Sequence, residues 1–459
     1  MNTDRPWWLD AAFYHVYPLG YCDAPDENTQ GQPLQPRIRA LGDDLERIRD
    51  LGFNALYLGP IFESGSHGYD TNDYFALDGR LGDNDDLAGF VQRAHETGMR
   101  VVLDGVYNHV GRGFWAFRRL LEEGPGSRYR DWFRGVSFDD DNRFGDGFVY
   151  QGWEGVEELV TLNHDNPDVR EHLLEAAVHS LERFGVDGIR LDVAYSLPFD
   201  FLEALGSALR ARRPDFWLLG EVIHGDYAAF VAPGRLSSVT NYECYKGLWS
   251  SCNDRNLHEI AHSLNRLFGV GGMLAAPVEA GKLPYGFADN HDVSRIASTL
   301  TNPGHIFPLY ALLWTMPGIP SVYYGSEYGV RGDKKDGDKG LRPARDEVVR
   351  AEENGSELAA FVGELNRVRS LSEALRVGGY RQVAVESTLL AFERFTDDAE
   401  VLVAVNIDSN PTELALGEPG RYECLFSGEQ VVVDSSHPIP VPAYGARVLR
   451  GRYTGSRAV

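Results

Sequence analysis

The chain has 459 residues, more than one hydrophobic core usually supports, which predicts a large domain and at least one smaller one. Its composition is 43% hydrophobic and 24% charged, which is typical of a globular protein and excludes a disordered one. The formal net charge of -24 argues against nucleic acid and anionic membrane surfaces as partners, because both are bound through basic patches.

The four cysteines are spaced without a CxxC or Cys/His metal pattern, which indicates free thiols in a reducing compartment. The first ten residues lack the basic region, apolar stretch and cleavage site of a secretion signal. No stretch of the sequence approaches membrane-spanning length. We therefore expect a cytoplasmic protein that does not interact with membranes.

Predicted strands and helices alternate through most of the chain. The predicted strands are 12–18, 54–59, 100–104, 188–195, 216–222, 239–244, 285–287 and 318–325. Predicted helices between or after them are 41–51, 85–97, 167–184, 199–212 and 357–369. Repeated alternation of this kind favours parallel strands with helical crossovers. Eight such strands predict an α/β fold, a (β/α)8 TIM barrel.

Two regions depart from this alternation. Residues 110–163, after the third strand, are rich in Gly, Asp, Arg and aromatic residues and are long for a loop, which predicts a small inserted domain. From about Gly378 short alternating strands follow, which predict a C-terminal antiparallel β-sandwich domain. We expect the barrel at 1–109 and 164–372 and the β domain at 373–459.

The strand 188–195 carries both charged and apolar side chains. Because side chains alternate across a strand, Arg190 and Asp192 share one face and the apolar residues share the other. Arg and Asp on the inner face, at the C-terminal end of a strand, occupy the position where parallel barrels carry their chemistry. A structural ion pair is the alternative interpretation.

Other predicted strands also end in polar residues. These residues are Asp104 with Asn108 and His109, Glu221, and His291 with Asp292. Carboxylates brought together at one end of a barrel can supply the nucleophile and the proton donor that cleavage of a glycosidic bond requires. Arg190 beside Asp192 is expected to keep that carboxylate ionised.

Four of these segments, in chain order, resemble the conserved regions of the α-amylase family of glycoside hydrolases. They are Asp-Gly-Val-Tyr-Asn-His at 104–109, Gly-Ile-Arg-Leu-Asp at 188–192, Gly-Glu-Val at 220–222 and Phe-Ala-Asp-Asn-His-Asp at 287–292. The resemblance implies that Asp192 is the nucleophile, Glu221 the general acid/base and Asp292 the transition-state stabiliser. It further implies sugar contacts by Tyr69, His109, Arg190, His291, Asp338 and Arg342.

Two segments indicate the nearest group within that family. Leu-Val-Thr-Leu-Asn at 159–163 is similar to the Met-Pro-Lys-Leu-Asn of cyclomaltodextrinases and neopullulanases, but lacks the Pro and Lys. Glu-Val-Ile-His at 221–224 resembles the Glu-Ile-Trp-His of the same group, with Ile223 replacing Trp and His224 retained as a substrate contact. The outline of the chain also resembles that of cyclic maltosyl-maltose hydrolases. The resemblance implies hydrolysis of short or cyclic α-glucans.

Three questions stay open at this level. A transglycosylase or isomerase, an ordinary endo-acting α-amylase and a non-catalytic binding relative are the alternative functions.

Asn108 matches a calcium ligand of many α-amylases, but Ala-Tyr-Ser at 194–196 replaces the Lys-His that follows their nucleophile. The acidic loop 139–146 offers oxygen ligands. We expect no obligatory metal or cofactor and an oligosaccharide substrate, and a homodimer remains open.

Overall fold

The computed structural model describes residues 5–29, 34–416, 419–433 and 436–451. Eight parallel strands form one sheet in circular order: β1 (Phe13–Val16), β2 (Ala55–Leu58), β3 (Arg100–Gly105), β4 (Gly188–Leu191), β5 (Trp217–Gly220), β6 (Ser238–Val239), β7 (Tyr285–Gly286) and β8 (Ile319–Tyr323). β8 pairs with β1, and a parallel bridge from Thr240 to Tyr285 joins β6 to β7. The predicted (β/α)8 barrel is therefore confirmed.

Aromatic rings fill the N-terminal end of the barrel. Phe13, Trp217 and Tyr285 each begin a strand, and the rings of Phe13 and Trp217 stack with centroids 4.9 Å apart. The ring of Tyr285 meets that of Phe13 edge-on at 5.5 Å. This end is packed with aromatic rings, so a site for polar chemistry is expected at the C-terminal ends of the strands, where barrel enzymes have their active sites.

Helices surround the barrel. Those of eight or more residues outside 110–163 are Asn84–Glu96, Pro167–Phe184, Phe199–Arg210, Tyr242–Asn253, His258–Phe268, Ile306–Thr315 and Arg345–Ser370. Shorter helices are Pro18–Tyr21, Ile38–Asp43, Leu45–Asp50, Tyr227–Phe230, Ala275–Glu279, Ile296–Thr299 and Glu373–Val377. No helix in the described ranges is both long and apolar enough to cross a membrane.

The helix Pro167–Phe184 begins and ends at the capping residues that the sequence indicates. The Asn166 side chain accepts a hydrogen bond from the backbone of Asp168 at 2.9 Å, and Pro167 occupies the first turn, where its missing N–H costs nothing. Gly185 ends the helix with φ of 75°, a conformation that glycine adopts without strain. This helix leads directly into β4.

Two predicted strands end four or more residues before their expected limits. β4 ends at Leu191, because Val193 adopts φ of 39° and turns the chain out of the sheet. β6 has two residues, because the Asn241 side chain accepts from the backbone of Cys244 at 3.0 Å and starts the helix Tyr242–Asn253.

Two predicted helices also differ from the structure. The helix expected at 41–51 is two helices, Ile38–Asp43 and Leu45–Asp50, that meet at Asp44. The helix expected at 357–369 begins twelve residues earlier and spans Arg345–Ser370.

The segment 110–163 contains the helix Trp115–Glu123 and contributes to a three-stranded antiparallel sheet. The strands of this sheet are His109–Gly111, Val156–Thr161 and Gly152–Trp153. Arg112 binds Asp146 through two contacts of 2.8 and 2.9 Å, so this acid of the 139–146 loop is held in an ion pair. We retain 110–163 and 373–459 as proposed domain limits.

Two antiparallel sheets form the C-terminal part. The larger contains Gly379–Val385, Leu389–Phe395, Glu400–Asn406, Gly445–Gly451, Gly420–Cys424 and Gln430–Val433, and the smaller pairs Thr412–Leu414 with Ile439–Val441. Alternate side chains divide between two cores: Leu390 and Phe392 join the barrel core, while Leu389 and Leu402 pack with Ile439 of the smaller sheet. The predicted antiparallel β domain is confirmed.

Candidate active site

A cavity of about 480 Å³ lies at the C-terminal ends of the barrel strands. The proposed catalytic residues Asp192, Glu221 and Asp292 line it, as do Tyr69, His109, Asp338 and Arg342. Arg190 and His291 are almost fully buried, with 3% and 1% of their surface exposed, and contact these carboxylates. The sequence-based assignments thus converge at one place, except for His224.

Arg190 is the centre of the charge arrangement. Its Nη1 lies 2.8 and 2.9 Å from the two carboxylate oxygens of Asp104 and 2.9 Å from Oδ1 of Asp192. Its Nη2 lies 3.0 Å from Oε2 of Glu221. One guanidinium therefore holds acids from the ends of β3, β4 and β5. The pair of Arg190 and Asp192 belongs to this cluster and is not an isolated structural ion pair.

The sequence predicts that Arg190 keeps the carboxyl group of Asp192 ionised, but the pKa of this group is shifted in the opposite direction. Burial raises the pKa of Asp192, Arg190 lowers it, and the nearby carboxylates of Glu221 and Asp104 raise it again, so the pKa lies well above its ordinary value. The physical reason is burial, the largest effect, which the single charge of Arg190, shared among three acids, does not offset. As the proposed nucleophile, Asp192 has to be ionised when it attacks a sugar.

Three groups hold the carboxylate of Glu221. Besides Arg190, the backbone N–H of Val193 donates to Oε2 at 2.9 Å and the hydroxyl of Tyr242 donates to Oε1 at 3.2 Å. Gly220 precedes it at the end of β5, where a Cβ atom would lie 2.3 Å from Cδ1 of Leu236. A side chain at position 220 would therefore push this strand end away from its neighbours.

Asp292 lies on the loop after β7, opposite these acids. The amide oxygen of Asn290 accepts from the Asp292 backbone at 2.8 Å, and Nε2 of His291 lies 2.9 Å from Oδ2 of Asp292. Burial raises the pKa of Asp292, but His291 and Arg342 outweigh that effect and hold it below its usual range. This carboxylate is therefore ionised, as a group that faces developing positive charge has to be.

Tyr69 and His109 form the floor and one side of the cavity. The Tyr69 ring stacks on that of His291 with centroids 5.6 Å apart and planes 9° apart, and its hydroxyl contacts Asp104 at 3.2 Å. Nε2 of His109 lies 3.9 Å from Oδ2 of Asp192 and has no hydrogen-bond partner among the described residues. Burial lowers the pKa of His109 to about 3, so the neutral ring can donate Nε2–H to a bound sugar.

Asp338 and Arg342 close another side. Nη2 of Arg342 lies 3.2 Å from Asp338 and 3.6 Å from Asp292, while its guanidinium covers the Tyr17 ring at 4.3 Å.

His224 is exposed, with its ring 6.0 Å from that of Tyr195, and it does not line the cavity. Its substrate contact stays a prediction, because its ring lies outside this cavity.

Several cavity residues were not identified from the sequence. They are His67, Trp153, Glu154, Tyr195, Tyr242 and Lys334. Trp153 and Glu154 lie on a tight turn of the inserted segment, where Glu154 has φ of 47° and Gly155 φ of 84°. The adjacent glycine was the available signal for that turn.

Within 5–29, 34–416, 419–433 and 436–451, no group of three or more His, Cys, Asp or Glu side chains is arranged to hold a metal ion. The buried Asn108 places its amide nitrogen 3.2 Å from Nδ1 of His109.

The barrel and its acids at the ends of β4, β5 and β7 define a glycoside hydrolase. The family model "Alpha amylase, catalytic domain" matches residues 17–366. The chain therefore belongs to the α-amylase family, and within it to the type that includes cyclomaltodextrinases and maltogenic amylases.

Three similar proteins support this placement. A cyclomaltodextrinase of a Bacillus species is 32% identical over 423 residues, which cover 88% of this chain and 73% of that protein. The intracellular maltogenic amylase of Bacillus subtilis is 28% identical over 378 residues, 80% of this chain and 61% of that protein. The ligand-free cyclic α-maltosyl-(1→6)-maltose hydrolase of Arthrobacter globiformis has a TM-score of 0.81 at 26% identity, covering 97% of this chain and all of that one.

Proposed function

We propose that the protein hydrolyses α-glucosidic bonds, mainly α-1,4, of short or cyclic α-glucans with net retention of anomeric configuration. The observation that carries the proposal is the bridging of Asp192 and Glu221 by Arg190, with ionised Asp292 across the same cavity. Acids linked through one guanidinium lie close together, in line with the separation of about 5 to 5.5 Å that favours a covalent intermediate over direct attack by water.

In the first step, a carboxylate oxygen of Asp192 attacks the anomeric carbon while the bond to the glycosidic oxygen breaks. Glu221 gives its proton to that oxygen, so the leaving sugar departs as a neutral alcohol. Positive charge develops on the sugar ring, and ionised Asp292 stabilises it while neutral His109 donates a hydrogen bond.

In the second step, Glu221 removes a proton from a water molecule, whose oxygen attacks the anomeric carbon and releases Asp192. Each step inverts the anomeric carbon, and the two together retain it. Glu221 ends protonated and Asp192 ionised, ready for another cycle.

The preference for short or cyclic substrates rests on the walls of the cavity. Trp153 and Glu154 from the inserted segment and Lys334 with Asp338 from the loop after β8 enclose it. Binding energy must then come mainly from the sugars nearest the scissile bond. The names of the Bacillus and Arthrobacter relatives point to the same substrate class.

Product analysis over time tests this function. We expect kcat/KM on γ-cyclodextrin, cyclic maltosyl-maltose or maltotetraose to exceed that on soluble starch by more than about tenfold, roughly 1.4 kcal/mol of transition-state binding. Pullulan reports on α-1,6 bonds, and longer products would reveal transfer to sugars. Comparable efficiency on starch would favour an ordinary endo-acting α-amylase, and the Asp192→Asn variant controls for contaminating activity.

We also propose that turnover needs no bound metal and that the protein acts in the cytoplasm. Support for the first comes from Asn108, whose amide contacts His109, and support for the second from the intracellular Bacillus subtilis relative. Activity should survive dialysis against a chelator. A loss that added calcium restores would overturn the first proposal, and fractionation of the source cells tests the second.

A further inference from the structure

The two carboxylate oxygens of Glu221 have different surroundings. Oε2 receives the backbone N–H of Val193 at 2.9 Å and lies 3.0 Å from Nη2 of Arg190. Oε1 faces the hydroxyl of Tyr242 at 3.2 Å. Because two donors already occupy Oε2, the proton that Glu221 transfers has to be carried by Oε1.

Tyr242 is itself held in a defined orientation. It is the first residue of the helix Tyr242–Asn253, which Asn241 caps. Its ring meets Phe287 edge-on at 5.0 Å, and its hydroxyl accepts a hydrogen bond from Nδ2 of Asn290 at 3.3 Å. With one lone pair engaged by Asn290, the hydroxyl proton is directed to Glu221.

We infer that Tyr242 is a positioning residue for the general acid/base, acting through its hydroxyl on Oε1 of Glu221. While Glu221 is protonated, Tyr242 fixes the side-chain rotamer so that the Oε1 proton faces the glycosidic oxygen. After proton transfer, Tyr242 donates to the negative charge left on Oε1. This inference rests on the proposed function, because it assumes that Glu221 is the proton donor.

A merely structural role for Tyr242 is the competing explanation. Its ring lines both the active-site cavity and an adjoining groove of about 640 Å³. Tyr245 offers a matched control: it lies one turn later in the same helix, lines the same groove, and stacks on Phe287 at 5.1 Å. Removal of either hydroxyl leaves the aromatic packing in place.

The test compares substrates that differ in their need for a proton. For Tyr242→Phe we expect kcat/KM on maltotetraose to fall about 10- to 100-fold, the range for a lost hydrogen bond to a charged group. On α-maltosyl fluoride, which departs as fluoride without needing full protonation, the fall should stay below about threefold. The kcat/KM of Tyr245→Phe should remain within about twofold of the wild-type value on both substrates. Both variants should keep the melting temperature of the wild type.

A double-mutant cycle separates positioning from structure. In a Glu221→Gln background, Tyr242→Phe should cause no further loss on α-maltosyl fluoride, because the acid/base through which Tyr242 acts is gone. Equal losses on both substrates, or an undiminished loss in the Glu221→Gln background, would overturn the inference. Failure of the proposed function at Glu221 would look different, since Glu221→Gln alone would then keep the wild-type kcat/KM on maltotetraose.

Discussion

The backbone N–H of Val193 donates a 2.9 Å hydrogen bond to Oε2 of Glu221, which joins the end of β4 to the end of the neighbouring strand β5 beside the cavity. Val193 adopts φ of 39°, a left-handed conformation that is unfavourable for a β-branched residue by roughly 1 to 3 kcal/mol. Val193 directly follows Asp192 in the chain. A single strained residue thus adjoins the proposed nucleophile and donates a hydrogen bond to the proposed acid/base.

Replacement of Asp192 by Asn should abolish catalysis without unfolding the protein. The change is nearly isosteric and removes the nucleophile, so kcat should fall by about a thousandfold or more. Because burial and neighbouring acids raise the pKa of Asp192, its ionised form is unfavourable in the fold, and the melting temperature should be unchanged or higher. Sugar release and circular dichroism measure the two effects, and retention of a tenth of the turnover would contradict the assigned role.

Asp292→Asn should behave differently in the same assays. His291 and Arg342 outweigh burial and lower the pKa of Asp292, so its ionised form stabilises the fold above the ordinary carboxyl pKa and that contribution is lost as pH falls. The variant should lose most of its turnover and melt below the wild type at pH 7, with the difference constant down to about pH 4 and shrinking only below that value. An unchanged melting temperature at pH 7 would show that His291 and Arg342 do not stabilise the carboxylate of Asp292.

The stereochemistry of the reaction provides a separate test. Proton NMR of the first-formed product from maltotetraose should show the α-anomer, because two successive inversions at the anomeric carbon retain its configuration. The measurement has to precede mutarotation. If the β-anomer formed first, Asp192 would act as a base for water and no covalent intermediate would exist.

The sequence was most informative where burial or local capping dictates structure. The strand Ala55–Leu58 and the helix Asn84–Glu96 end within one residue of their predicted limits, because a fully buried strand and a capped helix each carry a local signal. Arg190 and Asp192 meet as their alternation along a strand implied, even though the strand ends before Asp192.

Other features depend on contacts that the sequence does not display. The predicted strand 239–244 contains Tyr242, because the β-branched residues Val239 and Thr240 favour a strand and mask the capping signal of Asn241. His224 matches a family motif, yet its side chain is exposed, since a motif fixes chain position and not orientation. The raised pKa of Asp192 requires knowledge of how many acids share Arg190.

The low pKa of His109 predicts how its removal affects the pH profile. Burial lowers the pKa to about 3, so the ring is neutral throughout pH 5 to 9 and acts only as a hydrogen-bond donor. His109→Asn should lower kcat/KM about tenfold, near the upper limit for one neutral hydrogen bond, while the shape of the profile stays the same. Disappearance of a limb between pH 6 and 7 would mean that His109 titrates during catalysis.

A buried acid pair in the C-terminal sheet predicts a change of stability with pH. Burial, together with repulsion from and a hydrogen bond with Glu393, raises the pKa of Glu400 to about 7, and Arg381 only partly compensates. The folded state therefore binds more protons than the unfolded state between about pH 4.5 and 7. The free energy of unfolding should fall as pH rises through this window.

Glu400→Gln removes this titration while keeping the size of the side chain. The variant should melt above the wild type at pH 8, and the difference should vanish near pH 5, where Glu400 is already protonated. Glu423→Gln is the matched control in the same sheet, because Glu423 forms a partly exposed ion pair with Arg450 at 2.7 Å, and such pairs contribute little. Thermal unfolding at pH 5 and pH 8 decides the matter: a difference of equal size at both values would show that Glu400 is not the titrating group.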